Sequence, residues 1–218
     1  MPPPDSLSDV GQDFVNRFGE LLKIVGANVK PKEPALVPAA GERSQLTCEG
    51  FTGGKDVEIV LVRAKKGADG KPLAVRETLT YRRDVAGTDL VYDLTGEFMQ
   101  GKARPFDCDL RQQPARLYAL LPFQVEQLKV ETDKHGDKIT LRVAFLNALG
   151  QPAAGTLPCH ARLGIGGMVA WESFLATSND GTLSHTIDFP KDPRGKWSLL
   201  VRSLLDGQQS TTKFIRQK

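Results

Sequence analysis

Three histidines, three cysteines and a scatter of carboxylates are the residues of this 218-residue chain that could do chemistry. His135, His160 and His185 could serve as proton acceptors or metal ligands. No G-x-S-x-G elbow and no Cys–His signature accompanies them. His135 falls in a turn, and His160 and His185 fall on separate strands, so all three read as solvated or hydrogen-bonded structural histidines. Cys48, Cys108 and Cys159 are too widely spaced for a CxxC pair, and a zinc site needs its ligands close together. One disulfide, Cys48–Cys108, is open to the chain and would leave Cys159 over. The preferred reading is three buried thiols acting as small hydrophobes. Hydrolysis of a glycosidic bond needs two carboxyl groups roughly 5–9 Å apart across a cleft. Asp93, Glu97 and Glu172 are candidates, but Asp93 and Glu97 flank a turn at Thr95-Gly96 and are expected to be solvated hairpin residues. Gly164-Ile-Gly-Gly167 has the look of a phosphate cradle. That device requires a helix start with Lys and Ser/Thr after the glycines. Met168-Val-Ala-Trp-Glu172 follows instead, so a loop crossing between sheets is expected. Trp171 could be a sugar-stacking platform, yet Val169, Trp171, Ser173 and Leu175 alternate onto one strand face, which makes Trp171 a core residue. No residue is assigned a catalytic, cofactor-binding or metal-binding role, and no cofactor is implied.

The elements that would position these groups are short. The exception is near the start, where Val10, Phe14, Phe18, Leu21, Leu22 and Val25 recur every three or four residues and predict one amphipathic helix. Ser6 or Ser8 can cap it, Asp9 and Asp13 suit its positive end, and Gly26 stops it. Its polar face is mixed rather than basic, so the stripe is expected to dock on a neighbouring domain or another protein. Val29 to Gly41, with Pro31, Pro34 and Pro38, reads as an extended linker. Strands are predicted at 44–51, 57–64, 73–81, 89–94, 103–110 and 115–121. Val57-Glu-Ile-Val-Leu-Val62 reads as alternating. The pattern restarts after Pro122, with strands at 124–132, 139–146, 156–163, 169–175, 182–188, 197–204 and 209–216. Asp206-Gly207 marks a hairpin, because its turn needs positive φ. About seven strands in about 95 residues is the signature of an immunoglobulin-like sandwich.

Composition agrees with many short elements. Gly (21) and Pro (14) are frequent, 40% of residues are hydrophobic and 25% charged, which excludes collagen, coiled coil and wholesale disorder. No run approaches the roughly 18 apolar residues of a membrane span. Up to Pro122 the chain has 17 basic and 17 acidic residues; beyond it there are 12 and 9, so the formal charge of +3 belongs to the second part. Neither part is basic enough for a nucleic-acid footprint. Lys65-Lys66 and Arg82-Arg83 are isolated pairs, suited to turns or strand edges. Met1-Pro-Pro-Pro-Asp5 has neither the basic start nor the apolar core of a signal peptide.

The expected fold is therefore mainly all-β: an N-terminal helix and linker over residues 1–35, then two antiparallel β-sandwich domains, 36–122 and 123–218, the second like an immunoglobulin or fibronectin-III module. Leu61, Leu79, Leu117, Leu120, Val143, Leu163, Trp197, Leu199 and Val201 are expected to be buried.

One stretch carries more than composition. Leu90-Val-Tyr-Asp-Leu94, then Gly96-Glu97, then Ala115-Arg-Leu-Tyr-Ala-Leu-Leu-Pro122 resembles the β-domain that follows the catalytic barrel in bacterial β-galactosidase-like glycoside hydrolases. The helix with Gly26-Ala-Asn-Val-Lys-Pro31 is similar to the entry into that domain, and 195–207 is similar to the last strands of an appended immunoglobulin-like module. The resemblance implies a non-catalytic region and a secreted or periplasmic parent. It implies a catalytic barrel or a glycan as partner, and it carries no catalytic residue across, since those residues sit on a barrel of about 250 residues. The alternative is a stand-alone immunoglobulin-like interaction or adhesion protein.

Overall fold

The computed structural model describes residues 30–52, 57–82, 90–96, 98–102, 104–189 and 194–216. The predicted N-terminal helix lies outside the described residues. The chain divides into two compact units, one ending at Pro122 and one beginning at Phe123. Every strand pairing is antiparallel.

The first unit contains β1 (Lys30–Lys32), β2 (Leu36–Pro38), a 3-10 turn at Gly41–Arg43, β3 (Leu46–Thr52), β4 (Glu58–Ala64) and β5 (Arg76–Tyr81). It continues with β6 (Leu90–Asp93), β7 (Phe98–Lys102), β8 (Phe106–Asp109) and β9 (Ala115–Leu121). They form a six-stranded sheet in the order β1-β3-β4-β9-β6-β7 and a three-stranded sheet β2-β5-β8. Val60 and Val62 of β4, Val91 of β6, and Tyr118 and Leu120 of β9 pack with Leu36, Leu79 and Cys108 of the smaller sheet. Ile59, Leu61, Tyr92, Leu117, Ala119 and Leu121 lie on the opposite face and are also no more than 4% exposed. Ile59 to Val62 is thus buried on both faces, the mark of a central strand, and the alternation read in the sequence does not hold there.

Two further expectations give way. The supposed linker contains β1 and β2, and the segment before β8 contains β7. Pro31 and Pro38 are tolerated because, among the described residues, β1 pairs only with β3 and β2 only with β5. An edge strand can leave one row of N–H groups unpaired, and proline lacks that group.

The second unit contains β10 (Gln127–His135), β11 (Lys138–Leu146), β12 (Pro158–Ile165), β13 (Met168–Ala176), β14 (Thr182–Asp188), β15 (Gly195–Ser203) and β16 (Gln209–Arg216). They form a three-stranded sheet β10-β11-β14 and a four-stranded sheet β13-β12-β15-β16. Ile139, Leu141, Val143 and Phe145 alternate inward on β11, as Trp197, Leu199 and Val201 do on β15. Phe189, just after β14, meets the Trp197 ring at 5.1 Å, and the Gln208 side chain ties the start of β10 to the β15–β16 loop through Leu128 N–H at 2.9 Å. All nine residues expected in the core are buried. Both tryptophans of the chain, Trp171 and Trp197, belong to this unit, and all three tyrosines, Tyr81, Tyr92 and Tyr118, to the first. Gly181 turns at φ +79°, and a Cβ there would stand 2.1 Å from the Ala153 carbonyl oxygen, so backbone occupies the space of any side chain.

Candidate functional site

Neighbouring strands β6 and β9 bring Asp93 and Arg116 together, 23 residues apart in sequence. Asp93 is fully buried. Its Oδ1 accepts the N–H groups of Thr95 (3.0 Å) and Gly96 (2.9 Å), and its Oδ2 receives the Arg116 guanidinium. Arg116 Nε also donates to the Asp109 carbonyl at 3.2 Å, and the Thr95 hydroxyl accepts Leu117 N–H at 2.9 Å. Burial works against the Arg116 charge, but Asp93, by charge and hydrogen bond, helps hold its pKa above the usual value. Asp93 is therefore not a solvated hairpin residue. Both its oxygens are engaged, locking the turn after β6 onto β9. Glu97 lies outside the described residues. The Asp-x-Thr-Gly spacing was a legible turn signal; nothing in the sequence near Asp93 pointed to Arg116.

The thiols are free. Cys108 and Cys159 are buried and Cys48 is half-buried against the core that contains Cys108. Burial pushes the Cys48 and Cys159 thiols up to about 12, and it pushes Cys108 up against the opposing influence of Tyr118 and Arg116. They are protonated, inert thiols at neutral pH. A shallow cavity of about 370 Å³ in this unit is lined by Val91, Lys102, Arg104, Pro105 and Phe106. Among the described residues it pairs two cations with apolar walls, with no acid, histidine or thiol in the lining.

In the second unit, Gly166 (φ +55°) and Gly167 (φ +86°) form a tight turn joining β12 to β13 within one sheet. The expected crossing between sheets is absent: two consecutive residues at positive φ match the twist of a two-residue hairpin. Trp171 is half-buried rather than a full core residue. It faces inward opposite Leu163 but sits on edge strand β13, where its ring stacks on His185 of β14 at 5.6 Å and 25°. That stack closes the side of the sandwich between two edge strands. His135 ends β10 and pairs with Asp133 at 2.9 Å on the surface. His160, on β12, points away from the core and lies 2.7 Å from Glu172, with its ring 4.9 Å from that of Phe174. The three histidines are thus dispersed, and Glu172 belongs to a different unit from Asp93. Among the described residues, no group of three or more His, Cys, Asp or Glu is placed to hold a metal ion. Among the same residues, no helix is long and apolar enough to cross a membrane. Of the two basic pairs, Arg82 pairs with Glu33, and Lys65 Nζ donates to the Ser44 carbonyl at 2.6 Å.

The strongest feature of this unit is the outward face of the four-stranded sheet. The registers set Phe174, His160, Arg202 and Gln209 side by side, then Glu172, Arg162, Leu200 and Thr211. Ser198 and Lys213 follow on β15 and β16, then Lys196 and Ile215. These are the strand positions opposite in phase to the buried Cys159, Ala161, Leu163, Trp197, Leu199 and Val201. The face carries Arg162, Arg202, Lys196 and Lys213 against Glu172. The outward face of the three-stranded sheet is balanced: Lys129, Lys138 and Arg142 stand among Glu131, Asp133 and Asp188. The excess positive charge of the second unit is thereby concentrated on one sheet. Sequence reading placed that charge in the right half of the chain but not on a face, since the phase of each strand was needed.

No protein-family model and no curated protein matches the chain. Solved structures show weak likenesses. A red sea bream transglutaminase is 15% identical with a TM-score of 0.31, covering 83% of this chain and 32% of that one. An uncultured Clostridium sp. β-glucuronidase is 12% identical with a TM-score of 0.25, covering 72% and 34%. A Ruminococcus gnavus β-glucuronidase is 9% identical with a TM-score of 0.24, covering 75% and 35%. The chain spans about a third of the length of each of these neighbours.

Proposed function

We propose that the chain is a non-catalytic, accessory β-sandwich region of a carbohydrate-active, glycoside hydrolase-like protein, with an immunoglobulin-like second unit. The observation that carries this reading is the use made of Asp93. The sequence pattern that resembles the glycoside hydrolase β-domain falls on β6, its turn and β9, and its acid is buried against Arg116 to hold strands together. The resemblance is thus one of scaffold, and the division of the second unit into three plus four strands supports the immunoglobulin-like assignment. In this reading the partner is a catalytic barrel or a glycan, the parent is secreted or periplasmic, and no cofactor takes part. A panel of aryl glycosides incubated with the purified chain is expected to give no release above buffer. Turnover that survives further purification and follows the protein through the column would overturn the proposal. The second reading, an independent immunoglobulin-like interaction or adhesion protein, is favoured by the three-plus-four strand division of the second unit taken by itself. Capture of a defined protein partner in preference to any glycan would select it.

A further inference from the structure

The outward face of the four-stranded sheet has an order beyond its charge. Successive outward positions on a strand are two residues apart, about 6.7 Å. Taken along that direction, each row of the face offers one cation: Arg202 on β15, Arg162 on β12, Lys213 on β16 and Lys196 on β15. The four span roughly 20 Å and stay within one strand spacing of β15. Hydroxyl and amide side chains stand between them, Ser198, Thr211 and Gln209, all exposed.

We propose that this face binds a linear acidic polysaccharide, its anionic groups meeting the four cations in turn and its hydroxyls meeting Ser198, Thr211 and Gln209. The inference rests on the accessory reading above and gives it a ligand class. Charge complementarity selects a polyanion, and three alternatives fit less well. An extended acidic peptide binds a sheet through its backbone at a free edge, whereas this is a face offering side chains alone. Single-stranded nucleic acid needs aromatic platforms, and Phe174 is engaged with the His160 ring. A protein partner would place an uncharged, well-packed centre on the patch, where this sheet presents Arg162 beside Glu172.

The test is affinity electrophoresis and calorimetry of the full chain with polygalacturonate, dextran sulfate and neutral dextran. Retention by either acidic polymer but not by neutral dextran is expected, and the two arms tell a carboxylate from a sulfate ligand. Binding should weaken with rising ionic strength. Arg162→Gln with Lys213→Gln should weaken it roughly three- to thirtyfold. Lys129→Gln with Lys138→Gln, the same charge change on the balanced face, should leave it unchanged. Thermal melts of both variants check that each is folded. No retention by either acidic polymer would overturn the inference, as would equal losses in the two variants, which would mark a net-charge effect. Single-stranded DNA that binds through Arg162 and Lys213 and is not displaced by polygalacturonate would overturn it in favour of nucleic acid. None of these outcomes bears on glycoside turnover, so the accessory reading stands or falls separately.

Discussion

Asp93 and Arg116 form an ion pair that is buried on one side and reachable on the other: Asp93 is 0% exposed and the Arg116 side chain 24%. Removing one partner strands a charge. Arg116→Met is therefore expected to cost about 3–5 kcal/mol in urea unfolding, whereas replacing both partners by apolar residues should recover much of that loss. The thiols give a pH signature. A folded pKa held above its unfolded value contributes stability below the unfolded value and loses it as pH rises toward the folded one. With Cys48 and Cys159 pushed from 9.0 to about 12, stability should fall between pH 9 and 12 as the unfolded chain ionises first. Cys159→Ala should flatten that decline in alkaline unfolding titrations, and a thiol reagent at neutral pH should label Cys159 only after denaturant is added. Residue-scale chemistry was partly legible. The preference for inert thiols needed only their wide spacing in sequence. The fate of Asp93 did not follow, because its cation arrives from a strand 23 residues away, and local reading supplied a turn and nothing more.

At the scale of elements, the long regular strands were read within a few residues. Ala115–Leu121, Thr182–Asp188 and Gln209–Arg216 fall on the predicted limits. β1 and β2 were not, since three prolines outweigh a three-residue strand in any local reading, and only knowledge of an edge position excuses them. β4 misled in the other direction: a strand buried on both faces has no period to find. Its central place makes a prediction. Leu117→Ala on the neighbouring β9 should cost about 2–5 kcal/mol by cavity formation, while Leu149→Ala, at a turn and 79% exposed, should change stability by less than about 0.5 kcal/mol. Gly181→Ala is a backbone test of the same kind. It must place a Cβ against the Ala153 carbonyl at positive φ, so it should destabilise by more than the roughly 1 kcal/mol of an ordinary glycine substitution. Thermal melts of the three variants rank them directly.

At the scale of the whole chain, each unit has its own core, and residues 123–218 expressed alone are expected to fold with a single cooperative transition. Non-cooperative melting of that fragment would show that its core is incomplete without the first unit. In the sequence, strand spacing restarts after Pro122. Which strands share a sheet was not legible, because pairings such as β4 with β9 or β12 with β15 join segments that are far apart in sequence. The segregation of aromatic types then has a practical consequence. With both tryptophans in the second unit and all three tyrosines in the first, the intact chain carries two native optical reporters. Excitation selective for indole follows the second unit alone, through buried Trp197 and through Trp171 against His185. Absorbance changes of the phenols follow the first. A single unlabelled sample can thus report the order in which its two units open.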